Sequence, residues 1–273
     1  MMTIDNRVAD VFSRRMAIQS VAALLLGSTV GVAQAQLPMS TAFNRAARNR
    51  ILSQRLAKTY CQLLLGVLPE FSAKTLADVR QQVRTGFDEL AKTSMPPELA
   101  SRVADLKKLA DAADALLVFP PTREAVSAVA QQAEKVMAAS QSTAEAFEKI
   151  AKVGSAKLIN LAGRQRAVSQ RIALDYFLIA AKLDGKGLQE QMKADMAEVR
   201  KGLETLAAAP VSTPAIRNEL ELGRAQWLFF EAAMQRAPDG KGMETVATTS
   251  ERLAEVLDKL TDLYDGALKE VLG

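Results

Sequence analysis

The stretch NLAGRQRAVSQR, Asn160 to Arg171, decides how this chain is read. It sets Arg164, Arg166 and Arg171 among residues that are otherwise mostly small or apolar. A second stretch, NRAARNRILSQR, runs from Asn44 to Arg55. Laying Phe43–Cys61 over Ile159–Phe177 gives a constant offset of 116 residues and nine identities in 19 positions. They are Asn44/Asn160, Ala46/Ala162, Arg48/Arg164, Arg50/Arg166, Ser53/Ser169, Gln54/Gln170, Arg55/Arg171, Ala57/Ala173 and Tyr60/Tyr176. Self-similarity at a fixed offset points to an internal duplication.

Helical geometry sorts these arginines. At about 100° per residue, with Arg164 at zero, Leu161, Val168, Ile172, Tyr176 and Ile179 fall between about 40° and 120° and make a core stripe. Arg164 and Arg171 lie beside that stripe, where long side chains are expected to reach water. Arg166 falls near about 200°, on a second seam with Ile159, Gly163, Gln170, Ala173 and Phe177. The alternating spacing of four and three is that of a helix–helix contact line. Phe43, Ala47, Arg50, Gln54, Ala57 and Cys61 repeat it in the first copy.

An arginine set in such a seam needs a partner, because an unpaired buried charge is costly. Two readings follow. In one, Arg50 and Arg166 meet across a twofold or pseudo-twofold axis and hold a small planar oxyanion that matches guanidinium geometry. Ala47 and Gly163, about one turn before each arginine, would leave backbone room for it. In the other, both arginines pair with Glu or Asp of neighbouring helices. Ser53 and Ser169 are expected to bond the preceding turn or a neighbouring helix. Gln54 and Gln170 are expected to orient the arginine or its ligand.

The 273 residues are 49% hydrophobic, 24% charged and 5% aromatic. This composition is poor in strand formers and predicts an all-α protein. After the first arginine stretch, helical patterns cover about Lys74–Thr93, Glu98–Val118 and Thr122–Lys152, punctuated by Pro69, Pro96-Pro97 and Pro120-Pro121. After the second they cover about Gly187–Ala209, Pro214–Arg236 and Gly242–Val271. The predicted architecture is two tandem four-helix up-down bundles, residues 36–152 and 153–273, behind a leader over residues 1–35. At Val153-Gly154-Ser155 the chain either turns, setting the arginine helices parallel, or continues as one helix of about 60 residues, since one glycine costs only about 1 kcal/mol.

In the leader, Arg14 and Arg15 precede an apolar run from Met16 to Val32, which ends in Ala33-Gln34-Ala35, a small-x-small cleavage pattern. Cleavage is expected before Gln36. A run of about 17 residues with polar breaks is a poor membrane anchor, and an uncleaved anchor is the alternative. The Ser-Arg-Arg start fits twin-arginine export, with general secretion as the other route. The expected location is the periplasm.

Net charge is +4, and removing three leader arginines and two leader aspartates leaves about +3. With no basic stripe interleaved with aromatics, nucleic acid is not an expected partner. The lone Cys61 permits no internal disulfide and reads as a buried structural thiol. The absence of histidine removes the commonest general base and metal ligand. No enzyme activity, metal or cofactor is expected. Glu219/Glu221 and Asp258/Asp262/Asp265 read as a solvated face. Trp227, in Gln226-Trp-Leu-Phe-Phe, reads as core.

The motif from Asn160 to Ala173 resembles the signature of the PilJ/NarX-type sensory domain of type IV pilus chemoreceptors and nitrate/nitrite sensor kinases. The likeness is specific over about 14 residues of the second copy and weaker in the first, where Ala47 stands for the motif glycine. It implies a four-helix bundle whose first helix carries the motif. It also implies an anion site at the meeting of two first helices, with Arg166 and Arg50 at the ligand-lining position and Gly163 where backbone approaches the ligand. Asn160, Arg164, Ser169 and Arg171, with Asn44, Arg48, Ser53 and Arg55, are the remaining motif positions. Nitrate or nitrite is the implied ligand, held in a homodimer or an intramolecular pseudo-dimer. The sequence carries no kinase or methyl-accepting region, so a membrane-bound sensor, chemoreceptor or transporter is the expected partner. The alternative is a helical interaction module of envelope or pilus machinery without a small-molecule ligand.

Overall fold

A computed structural model describes residues 39–151, 154–183, 186–210 and 213–272. The expected leader lies outside them, as does Ser212, which the sequence offers with Thr213 as a cap before Pro214. The described residues form eight helices and no strand: α1 Met39–Leu65, α2 Pro69–Ala91, α3 Pro97–Ala115, α4 Arg123–Ala151, α5 Gly154–Ala180, α6 Lys186–Ala207, α7 Pro214–Met234 and α8 Gly240–Leu272. None of them is long and apolar enough to cross a membrane.

The ends follow local chemistry. Pro69 was expected to break the chain, but it opens α2 instead. Its fixed φ suits the first helical turn, where no intrahelical N–H partner is needed. The reversal before it is made by Gly66 at φ 68° and Leu68 at φ 43°. Pro97 opens α3 in the same way. Thr122 Oγ accepts from Ala125 N at 3.1 Å, and Asp239 Oδ1 from Gly242 N at 2.7 Å, capping α4 and α8. Thr213 Oγ accepts from Ile216 N at 3.2 Å ahead of Pro214. Thr213→Ala is expected to cost about 1 kcal/mol in urea unfolding.

Helices α1 and α5 are the centre. From Ala46 to Gln62 only Arg48 and Arg55 escape full burial, and from Ala162 to Leu178 only Arg164 and Arg171 do. They form two pairs, Arg48/Arg164 and Arg55/Arg171, each 116 residues apart. A single core stripe plus one seam was expected; instead both helices are enclosed on nearly every face. Helix α1 packs against α2, α4 and α5, and α5 packs against α1, α4, α6 and α8.

Named contacts give the directions. Arg50 reaches Asn160 and Lys58 reaches Gln170, so α1 and α5 run parallel, side by side. Asn160 with Glu148 and Arg171 with Glu134 make α4 and α5 antiparallel. Consecutive helices that run antiparallel exclude the continuous-helix alternative. The core joins Phe43, Tyr60, Ile172, Phe177 and Trp227 with the inward faces of the outer helices. Trp227 and Phe230 are buried, but the neighbouring Leu228 and Phe229 are more than 60% exposed. Four consecutive helical residues cannot all face one side.

Candidate functional site

Both seams lie inside the α1–α5 contact. Phe43, Ala47, Arg50, Gln54, Ala57 and Cys61 are buried, as are Ile159, Gly163, Arg166, Gln170, Ala173 and Phe177. Burial pushes the Cys61 thiol up to about 12, in keeping with an inert structural cysteine.

Arg50 is fully buried and Arg166 is 1% exposed. Their guanidiniums converge on the backbone of Gly163. A methyl built there would stand 2.8 Å from Arg50 Nη2 and 3.9 Å from Arg166 Nη2. Arg50 Nε donates to Ala47 O at 3.1 Å. Its Nη1 donates to Gln141 Oε1 at 2.5 Å and Asn160 Oδ1 at 2.7 Å. Those amides pass the charge on, Gln141 Nε2 to Glu145 at 2.8 Å and Asn160 Nδ2 to Glu148 at 2.9 Å. Arg50 Nη2 and Arg166 Nε are buried without a hydrogen-bond partner. Burial, then the nearby charges of Arg166 and Arg164, lowers Arg50 to about 9 against the pull of Glu145. Burial also lowers Arg166, opposed chiefly by Asp258.

Arg166 Nη1 is bonded to Asp258, which also accepts from Arg48 Nη2 at 2.8 Å. Asp258 therefore does not stand on a solvated face, and neither do Glu219, 6% exposed and 2.7 Å from Lys259 Nζ, or the buried Asp265. Glu221 and Asp262 do stay exposed, while the one-turn spacing that suggested a polar face lets α8 turn Asp258 and Glu251 toward α1 and α5.

The other motif residues fall on the rim. Arg164 makes a two-pronged contact with Glu198, at 2.5 and 2.9 Å, and remains about one-third exposed. Arg171, expected in water, is 16% exposed and grips Asp195 through Nε and Nη2, both at 2.7 Å. The reason is α6, which covers this face of α5 with acidic residues. Asn44 bonds Asp262, and Arg55 bonds Glu251. Ser53 Oγ and Ser169 Oγ donate to Arg50 O and Arg166 O, at 3.0 and 2.8 Å, so both bond the preceding turn. The glutamines do not orient the arginine pair. Gln54 Nε2 donates to Glu134 at 2.8 Å and Gln170 Nε2 to Ser250 O at 2.8 Å, one turn further along.

That next turn holds a group the sequence reading missed. Lys58 is fully buried and donates to Gln170 Oε1 at 2.6 Å, Glu251 Oε1 at 2.5 Å and Ser250 Oγ at 3.0 Å. The residue at the same 116-residue offset is Leu174, a core residue. A lysine where the other copy has an apolar residue was the available signal.

Gly163→Ala tests the close approach. Alanine favours a helix by about 1 kcal/mol over glycine, but the new methyl would displace a pinned guanidinium. A net loss of about 1–2 kcal/mol is expected in urea unfolding. Gly223→Ala, whose methyl would meet Leu257 Cδ2 and Val256 Cγ1 at an ordinary 3.7 Å, should gain about 0.5–1 kcal/mol. Equal responses at the two positions would show that Arg50 moves aside freely.

Residues 151–253 match the model of the PilJ family, described as the type IV pili methyl-accepting chemotaxis transducer N-terminal domain. The match takes in Gly163, Arg166 and Gln170 on α5 and ends within α8, five residues before Asp258; Arg50 lies outside it. This part of the chain is thus similar to a PilJ-type sensory domain. No curated protein and no solved structure matches the chain significantly.

Proposed function

We propose that this chain is an exported, non-enzymatic sensory protein made of two four-helix units, residues 36–152 and 153–273, that arose by tandem duplication. The two arginine helices form an intramolecular pseudo-dimer, and a small oxyanion, nitrate or nitrite, binds between Arg50 and Arg166. The observation that carries this reading is the pair of buried, unpartnered donors, Arg50 Nη2 and Arg166 Nε, between two like charges at Gly163. An anion there would accept from both and offset their repulsion.

Repeated contacts support the duplication. Ser53 and Ser169 bond their own preceding turns alike. Arg48 reaches Gln82 as Arg164 reaches Glu198, and Gln82 and Glu198 are again 116 residues apart. Similarity to a chemotaxis transducer domain supports an association with chemotaxis or pilus machinery, with a membrane-bound sensor, chemoreceptor or transporter as receiver of the signal.

A second reading has its own observation. Arg166 is paired with Asp258, and Arg50 is tied through two amides to Glu145 and Glu148, so charge is balanced without a ligand. The chain would then be a helical interaction module. Calorimetric titration with nitrate and nitrite, with chloride and sulfate as controls, separates the two. Saturable binding lost in Arg50→Met and in Arg166→Met, but kept in Arg164→Met, supports the anion site. Absence of heat and of thermal stabilisation by any of the four anions would leave the interaction module.

A further inference from the structure

Between α4, α5 and α6 lies a half-open cavity of about 150 Å³, well away from the arginine pair. Four leucines, Leu174, Leu178, Leu183 and Leu188, form much of its wall, and Asp175 and Glu134 supply its charge. A cavity of this size admits a molecule of roughly benzene dimensions.

Asp175 is 2% exposed, and its Oδ2 has no hydrogen-bond partner. The only guanidinium in the cluster is already engaged elsewhere. Arg171 spends Nε and Nη2 on Asp195 and Nη1 on Glu134 Oε2 at 3.3 Å. Glu134 Oε1 accepts from Gln54. Three carboxylates thus share one cation, and the innermost of them, which lines the chamber, keeps one buried acceptor unpartnered. Burial first, then the charges of Asp195 and Glu134, pushes the Asp175 carboxyl up to about 8 in spite of Arg171. Three carboxylates against one guanidinium leave the cluster short of positive charge, and Asp175 Oδ2 short of a hydrogen-bond donor.

We propose that this cavity binds a small aliphatic ammonium ion, its N–H on Asp175 Oδ2 beside Glu134 and its chain against the leucines. The leucine wall argues against a metal ion, which needs a shell of some six or more oxygens. Among the described residues no group of three or more His, Cys, Asp or Glu is disposed to hold one. A neutral guest would fill the chamber but leave the charge deficit. An anion would add to it. The charged groups around the head-group position are Glu134 from α4, Asp175 and Arg171 from α5, and Asp195 from α6.

The test compares three butyl probes on the full chain at pH 8 by calorimetry: n-butylammonium, 1-butanol and butyrate. Saturable binding is expected for the ammonium, with the alcohol about tenfold weaker or worse and butyrate silent. Asp175→Asn should weaken the ammonium about tenfold and leave the alcohol unchanged. Binding at pH 7 should be about fivefold weaker than at pH 8, with a proton released, because the guest needs the ionised carboxylate. Equal affinity for ammonium and alcohol, unchanged ammonium binding in Asp175→Asn, or no saturation by the ammonium would each overturn the proposal. None of these outcomes bears on the anion titration of the arginine pair.

Discussion

Glu251→Ala is expected to lose about 3–5 kcal/mol in urea unfolding at pH 7, the range for stranding one member of a buried ion pair. Lys58 has no exposure and its ammonium is held at 2.5 Å by Glu251. Removing the carboxylate leaves that charge with only Gln170 and Ser250, and leaves Arg55 without its partner. Burial lowers Lys58, and only Glu251 opposes this. Lys58→Met is expected to cost much less, because Glu251 keeps Arg55 and a straight apolar chain fills the same space. A loss in Lys58→Met as large as that in Glu251→Ala would mean that the lysine stem, and not its charge, holds α1 against α8.

The same pair makes stability fall in acid. Burial alone would raise Glu251, but Lys58 and Arg55 together overcome it and bring the carboxyl down to about 2 from 4.5. A carboxylate lowered by folding stabilises the fold above its unfolded value and loses that contribution as pH drops toward its folded one. The window is therefore about pH 5 to 2. The contribution lost is on the order of 3 kcal/mol.

Asp175 acts with the opposite sign. Its carboxyl stands at about 8 when folded against 3.8 when free. The folded chain binds the extra proton, so stability falls as pH rises through about 4 to 8. That displacement corresponds to on the order of 5 kcal/mol at pH 8. An asparagine removes it but buries an amide that can cost about 1–3 kcal/mol. Asp175→Asn is thus expected to gain about 2–4 kcal/mol at pH 8 and to lose about 1–3 kcal/mol at pH 4, where only the amide cost remains. Together the two carboxyls place the stability maximum near pH 4–5, below the usual range. Unfolding free energies measured from pH 3 to pH 9 on the protein, Asp175→Asn and Glu251→Gln check both signs. A flat profile for the unaltered protein between pH 5 and pH 8 would show that Asp175 stays ionised in the fold.

Much of the helical pattern was legible from residue types alone. Pro214 behind Thr213, Thr122 at the start of α4 and Asp239 near the start of α8 act within one turn, so the sequence carries their effect directly. The seam from Ile159 to Phe177 was legible because helical periodicity puts those residues on one line whatever packs against them. The carboxylates of α8 were not legible. Asp258 looks like any helical surface acid until α1 and α5 are laid beside it, and Glu219 of α7 does so until α8 covers it. Lys58 and Asp175 escaped notice for the same reason, and burial is what gives each of them its chemistry.

The repeated motif by itself determined that two like helices exist, and that each sets an arginine one turn after a small residue. The local physics of an α-helix requires no more than the order of residues. Only the tertiary structure decided that these helices lie parallel and in contact, because that depends on α4 and α5 running antiparallel. That packing brings Arg50 and Arg166 together at Gly163 and leaves Arg50 Nη2 and Arg166 Nε without a partner. Which acid meets which base, and which donor is left over, depends on groups from 24 to 210 residues apart in the chain, and their meeting is set by how whole helices pack.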